Sequence, residues 1–189
     1  REVGYVNAGT VEFLVDQERN FYFMEVNSRI QVEHPVTEMV TGVDLVQEQF
    51  RLAAGEPLRL RQENVRLAGW AMECRINASD PDRGFEPSPG EIEGLTMPGG
   101  PGVRFDTYLC PGALIPPFYD SLVGKLIVWA EDRTAAIRRM QRALRELQVD
   151  GIRTTAPFHL RVLADPDFRA GRFDTHFLER FEGKTEPAP

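Results

Sequence analysis

The chain has 189 residues, of which 42% are hydrophobic and 27% charged. That is ordinary for a soluble globular protein and enough for one substantial domain or two small ones. The net charge of −7 argues weakly against a nucleic-acid or anionic-membrane surface, no apolar run is long enough to span a bilayer, and no signal-peptide pattern is present. Cys74 and Cys110 are too few for a disulfide framework and point to a reducing cytosol. The histidines, His34, His159 and His176, are scattered, and no Cys/His spacing resembles a zinc site.

The chain begins at Arg1 and enters at once into "GTVEFLVD", which predicts a start inside a domain. Residues Thr10 to Asp16 and Phe21 to Asn27 are rich in β-branched and aromatic residues, and the polar "QERN" between them predicts a hairpin. From Glu25 onward every second residue is polar: Glu25, Asn27, Arg29, Gln31 and Glu33, with Val26, Ser28, Ile30 and Val32 between them. An extended strand would place all five polar groups on one side, as a solvent-facing strand does and as one wall of an active site would. Such a run would reach roughly 26 Å, longer than one small substrate. The chain must therefore bend or serve more than one ligand. "EHP" marks a turn, because Pro35 restricts His34.

"GVDLVQEQFRLAAGEPL" then switches to helical spacing, with Val43, Val46, Phe50 and Ala53 on one stripe and Gly55 and Pro57 as the stop. The polar run "RLRQENVRLAG", from Arg59 to Gly69, predicts a boundary between two units. The second unit opens with the strand "AMECRINA", which puts Met72, Cys74 and Ile76 on one face and Glu73, Arg75 and Asn77 on the other. "DPDRGFEPSPGEIEGLTMPGGPGVRFD" reads as short strands joined by tight turns. "KLIVWAE" is another strand. "DRTAAIRRMQRALRELQVDG" is an amphipathic helix capped by Asp132, buried along Ile137, Met140, Leu144 and Leu147, and ended by Gly151. "TTAPFHLRVLADPDF" and "THFLERF" predict two further helices, the tail over 183–189 is expected to be disordered, and no internal repeat is present.

In the hairpin, Glu12 on the first strand and Glu25 with Asn27 on the second can come within several Å of one another. Oxygen ligands without His or Cys suit a hard cation such as Mg²⁺. Two solvent-facing strand carboxylates would look the same. The continuation adds Arg29 as a planar fork for an anion, Gln31 as a hydrogen-bonding group and Glu33 as a possible base. His34 reads as a structural hydrogen-bonder and Cys74 as a buried, inert thiol. Arg75 is either a surface ion-pair partner or a second fixed positive charge. The arginines Arg138, Arg139, Arg142 and Arg145 stand among Glu131, Asp132, Glu146 and Asp150, as on a solvated helix face.

The segment "MEVNSRIQVEHPVTEMVTGVDLVQEQFRLAAGEPL" closely resembles the signature of biotin carboxylase, the ATP-grasp component of biotin-dependent carboxylases. "AMECRINASDP", "PSPGEI", "PGGPGVRFD" and "PPFYDSLVGKLIVWAEDRTAAIRRM" are similar to successive segments of that family's C-terminal domain, so the likeness runs in order over almost the whole chain. The resemblance implies an α+β fold: the end of an ATP-grasp domain, an antiparallel sheet with helices, over 1–60, then a mixed α/β biotin carboxylase C-terminal domain over 68–182. It implies that Glu12, Glu25 and Asn27 bind a pair of Mg²⁺ or Mn²⁺ ions bridging the ATP phosphates, with Leu14 near the adenine and Glu12 and Glu25 at the nucleotide. Arg29, Gln31 and the Val32 backbone resemble the bicarbonate site. Glu33 resembles the base that deprotonates bicarbonate, and Arg75 the residue that stabilises the enolate-like biotin.

Implied with these are ATP and biotin as substrates, a biotin carboxyl carrier protein or domain and a carboxyltransferase subunit as partners, a homodimer formed through the C-terminal domain, and a cytoplasmic location. An ATP-grasp enzyme also needs a glycine-rich lid and several lysines, whereas the lysines here are Lys125 and Lys184. The family's N-terminal and lid domains would precede Arg1, and this chain alone is expected to be inactive or nearly so. Ser79 stands where the family often carries an acidic residue. Pro101 occupies the "PGGPGV" turn, which with Arg104 lies in a region the family uses for dimer contacts. Another ATP-grasp ligase, or a non-catalytic dimerisation module, is the alternative.

Overall fold

The structure, a computed structural model, describes residue 2 and residues 4–182; the expected disordered tail over 183–189 lies outside the described residues. The chain divides into two units, Arg1–Ala68 and Gly69–Pro189.

In the first unit the β-prone segments form the antiparallel strands β1 (Thr10–Val15) and β2 (Phe21–Asn27). Asp16 closes the hairpin: its carboxylate accepts from the Asn20 backbone N–H at 2.8 Å and from the Asn20 side-chain amide at 2.9 Å. Those bonds hold the Asp16 carboxyl below its ordinary value. The register pairs Glu12 with Glu25, then shifts by one residue, so that Phe13 pairs with Phe23. Without the shift Phe23 would share a face with Glu25. With it, Phe23 meets Phe13 edge-on at 6.2 Å and leaves the carboxylates on the opposite face.

The strand ends at Asn27, and Ser28 and Arg29 form a bend, so the five polar residues do not share one extended strand. After a turn at Val32 and Glu33 comes a helix that the sequence pattern did not predict, α1 (His34–Thr41). "EHP" reads as a turn because proline disfavours helix before it. At the second helical position, however, the missing N–H is one of the helix's unsatisfied donors in any case. Gly42, left-handed at φ 71°, ends α1 by donating to the Glu38 carbonyl at 2.8 Å.

Helix α2 (Leu45–Ala53) is capped by Asp44, which accepts from the Gln47 N–H at 2.7 Å. Its inward face is Leu45, Glu48, Gln49 and Leu52, not the predicted stripe: Val43 lies before the helix, and Val46 and Phe50 are 37% and 73% exposed. Polar contacts outside the helix lie on this face, with Gln49 donating to Asn7 at 2.9 Å and the Leu45 N–H donating to the Glu38 carboxylate at 2.8 Å. A short 3₁₀ turn covers Gln62–Asn64. Pro35 alone is buried among the described residues of this unit.

The second unit holds the core. Strand β3 (Trp70–Asn77) is followed by the short strands β4 (Ser79–Asp80), β5 (Glu86–Pro87), β6 (Gly90–Glu91) and β7 (Gly94–Thr96). After them come β8 (Val103–Thr107), β9 (Leu114–Ile115) and the long β10 (Leu122–Ala130). Short strands joined by turns are what the Gly- and Pro-rich stretch predicts. Strands β3, β10 and β8 form one antiparallel sheet with β10 in the middle. Cys74, Ile76, Leu126 and Val128 pack with Ala136, Ile137, Met140, Ala143 and Leu144 of α3 (Arg133–Glu146) in one core. Each large side chain fully buried here contributes about 1.5–3 kcal/mol.

Asp132 caps α3 as predicted, accepting from the Ala135 N–H at 2.7 Å. Gly151 does not end it. The helix stops at Glu146, and β11 (Gln148–Asp150) follows, paired with β7. Gly151 is required for another reason: it sits at φ 98°, and a Cβ there would lie 2.0 Å from the Glu91 carbonyl oxygen. The C-terminal segments form α4 (Ala156–Ala164), a single turn α5 (Pro166–Arg169) and α6 (Phe177–Glu182).

Candidate active site

In the first unit Glu12, Glu25, Asn27, Arg29 and Gln31 form one connected network. Glu12 and Glu25 lie directly opposite each other across the hairpin. Like charges so placed repel unless something positive lies between them. The Asn27 side-chain amide takes that position, donating to Glu12 Oε1 and to Glu25 Oε1 at 2.9 Å each. Gln31 Nε2 also donates to Glu12 Oε1, at 2.6 Å. Arg29 Nη1 donates to Gln31 Oε1 at 2.6 Å and to the Ile30 carbonyl at 3.1 Å, while Nη2 reaches Asn27 Oδ1 at 3.2 Å. The bend at Ser28 and Arg29 keeps Arg29 and Gln31 on the carboxylate cluster, where a straight strand would carry them away.

The residue types fit a hard divalent cation, two carboxylates and an amide with no sulfur or imidazole among them; here Asn27 turns its NH2 to the carboxylates and its oxygen to Arg29, so a cation between the carboxylates would need that amide turned over. Among the described residues no group of three or more His, Cys, Asp or Glu stands in a metal-holding arrangement, so this pair with its amide is a partial shell. Mg²⁺ commonly completes such a shell with waters and phosphate oxygens.

Leu14, 52% exposed and paired with Tyr22, lies two residues along β1 from Glu12. Val32 is half-buried in the turn, and the exposed Glu33 occupies the cap position of α1. His34 has the structural role expected of it: Nδ1 lies 2.9 Å from the Gln31 carbonyl oxygen and so pins the turn that carries Gln31.

Arg75 belongs to the second unit. Its exposed side chain stands on the face of β3 opposite the buried Cys74 and Ile76, in register with Lys125 of β10, which in turn is level with Asp106 of β8. Asp106 pairs with Arg104 at 2.7 Å and with Lys125 at 3.7 Å. Cys74 is buried as predicted, and burial pushes its thiol up to about 12. The arginine-rich face of α3 is tied to its own surroundings, Arg142 to Glu146 at 2.7 Å and to the Gly99 carbonyl at 3.1 Å.

Two residues that the sequence did not single out touch the Arg75 backbone. Thr155 Oγ1 donates to the Arg75 carbonyl at 3.0 Å, and His159 Nε2 lies 2.8 Å from the same oxygen. They are about 80 residues away along the chain, and no local pattern announces such a contact.

Strands, helices and site together define an ATP-grasp element joined to a mixed α/β domain. Residues 1–61 match the ATP-binding domain of the carbamoyl-phosphate synthase large chain, and residues 73–180 match the biotin carboxylase C-terminal domain. The chain belongs to the biotin carboxylase family. It is 58% identical over 177 residues to a biotin carboxylase of Nostoc sp., covering 94% of this chain and 40% of that protein. It is 55% identical to biotin carboxylase 1 of Bacillus subtilis, covering 96% of this chain and 41% of that protein.

The biotin carboxylase domain dimer of Hydrogenobacter thermophilus 2-oxoglutarate carboxylase, solved with MgADP, ADP and bicarbonate, superposes with a TM-score of 0.93. It is 51% identical, over 96% of this chain and 40% of that one. The chain thus spans about 40% of the length of the relatives it matches. No helix of the described residues is long and apolar enough to cross a membrane.

Proposed function

We propose that this chain is the C-terminal part of a biotin carboxylase, with the end of the ATP-grasp domain over 1–60 and the C-terminal domain over 68–182. The whole enzyme carboxylates biotin on a carrier protein or domain, using MgATP and bicarbonate. The observation that carries the reading is the network on the hairpin: opposed Glu12 and Glu25 bridged by Asn27, with Gln31 and Arg29 hydrogen-bonded into the same cluster.

ATP is the source of the phosphoryl group, and a bound Mg²⁺ or Mn²⁺ would neutralise the charge that develops on it. Glu12, Glu25 and Asn27 would hold the metal, and Glu12, Leu14 and Glu25 would line the nucleotide. Arg29, whose planar fork suits a carboxylate-like anion, binds bicarbonate with Gln31 and the Val32 backbone. Glu33 takes the bicarbonate proton as its oxygen attacks the γ-phosphorus. ADP leaves and carboxyphosphate forms. Carboxyphosphate then breaks into CO₂ and phosphate, the phosphate takes the ureido N–H proton, and the nitrogen attacks CO₂, with Arg75 stabilising negative charge on the ureido oxygen. Carboxyphosphate is labile in water, so both steps must occur in one shielded place.

A carboxyltransferase subunit, a homodimer formed through the C-terminal domain and a cytoplasmic location complete the proposal. The location is supported by two cysteines outside any disulfide, Cys74 and Cys110. A different ATP-grasp ligase is favoured only by the match over 1–61, and the match over 73–180 speaks against it. The test is phosphate release from MgATP and bicarbonate with and without free biotin, on this chain and on the full-length protein. Biotin should stimulate the full-length protein and leave this chain silent. Stimulation by biotin in neither, with folding confirmed, would overturn the proposal.

A further inference from the structure

Strand β3 is an edge strand: it pairs with β10 on one side only. An open edge leaves backbone groups unpaired and the strand free to flex. At Arg75 and Asn77 the start of α4 takes the place of a partner strand. The Thr155 hydroxyl donates to the Arg75 carbonyl at 3.0 Å and accepts from the Asn77 N–H at 3.0 Å. The Thr155 N–H donates to the Asn77 carbonyl at 3.1 Å. One helical turn further on, on the same face of α4, His159 Nε2 meets the Arg75 carbonyl at 2.8 Å. A carbonyl oxygen only accepts, so Nε2 carries the hydrogen.

Thr155 is 6% exposed, and Ala156 and Leu163 of α4 lie in the core, so the clamp stands on rigid ground. Burial also lowers the His159 pKa from its ordinary value, which keeps the ring neutral near pH 7. The Arg75 side chain itself is exposed. A long, flexible arginine can stabilise charge at one oxygen only if its backbone is held to within about 0.5 Å.

We propose that Thr155 and His159 are positioning residues for Arg75, and that they serve the transfer of the carboxyl group to biotin and not the formation of carboxyphosphate. The inference rests on the assignment of Arg75 to the biotin step. A threonine methyl with no hydroxyl, or a leucine in place of the imidazole, leaves the Arg75 carbonyl short of a donor and the edge of β3 loose.

The test uses the full-length protein with Thr155→Val and His159→Leu, and with the conservative Thr155→Ser and His159→Gln. Two rates are measured: phosphate release with bicarbonate but no biotin, as carboxyphosphate hydrolyses, and biotin-dependent carboxylation. Thr155→Val and His159→Leu are expected to lower kcat/KM for biotin by about 10- to 100-fold. The biotin-independent rate and the KM for ATP should stay within about twofold, and Thr155→Ser and His159→Gln should recover most of the loss. Arg75→Gln serves as the reference for the biotin step.

If Arg75→Gln abolishes biotin dependence while folded Thr155→Val and His159→Leu leave it unchanged, the positioning role is wrong and the functional reading stands. A fall in both rates by the same factor, unrelieved by the conservative variants, also overturns it and marks the clamp as purely structural. If the wild-type protein shows no biotin dependence, the functional reading fails and the positioning role falls with it.

Discussion

Cys74 and Cys110 differ only in where the fold places them. Cys74 is buried, with its thiol pushed up to about 12, whereas Cys110 is exposed. Since the thiolate is the reactive form, iodoacetamide at pH 8 should add once to the native chain, at Cys110, and twice after denaturation. Two adducts on the native protein would contradict the buried placement. His159 makes a second test. Its folded pKa is lowered by burial below the ordinary 6.5, so between the two values the unfolded chain binds more protons. Stability from this residue is therefore present above about pH 6.5 and lost as pH falls toward the lowered value. Urea unfolding at pH 7.5 and 5.5 should show a larger loss for the wild type than for His159→Gln; equal losses would contradict it.

At this scale alternation makes the shared face of Glu25 and Asn27 legible, because strand geometry alone puts them on one side. It could not show that the Asn27 amide bridges two carboxylates, since that depends on the register of a second strand. Nor could it find Thr155 and His159, whose partner is a backbone oxygen and leaves no trace in residue type.

Helices show where periodicity is a sound guide and where it is not. On α3 the predicted stripe is buried, because a sheet lies against it, and Asp132 caps it. Met140→Ala should destabilise by about 2–5 kcal/mol in denaturant titration. On α2 the apolar stripe and the inward face differ, and the inward face carries the Gln49–Asn7 hydrogen bond. Phe50, 73% exposed, should therefore tolerate replacement: Phe50→Ser ought to change stability by less than about 0.5 kcal/mol in this chain. A loss as large as that of Met140→Ala would place Phe50 in a core. Helix α1 escaped detection because a proline signals an interruption within a helix and a natural start at its first turn. The end of α3 is hard to place for a related reason: a glycine such as Gly151 signals a helix stop, whereas here it admits the Glu91 backbone.

The two units differ in what holds them. Every buried apolar residue in the core cluster lies between Cys74 and Leu163, in the second unit, while the strands of the hairpin keep their aromatic and aliphatic side chains exposed. A fragment of residues 69–182 should accordingly fold by itself, with a cooperative thermal transition and a helix-containing circular dichroism spectrum. Absence of a transition would mean that the core needs residues 1–68. The Gly- and Pro-rich stretch is legible from its turn residues, and the two long strands β3 and β10 and the helix α3 that follows them from their local periods. The pairing of β7 with β11 and of β6 with β9 is not, because two- and three-residue strands carry no period to read.

The assignment of the hairpin network to metal-bound ATP and of Arg75 to biotin divides the chemistry between two sets of residues. The direct measurement is phosphate release by the full-length protein, with and without biotin, for Glu12→Gln and Arg75→Gln. Glu12→Gln should lower both rates by about 10- to 100-fold. Arg75→Gln should abolish the response to biotin while leaving the biotin-independent rate within about twofold. If Arg75→Gln lowered both rates equally, or Glu12→Gln left both intact, that division of labour would be wrong.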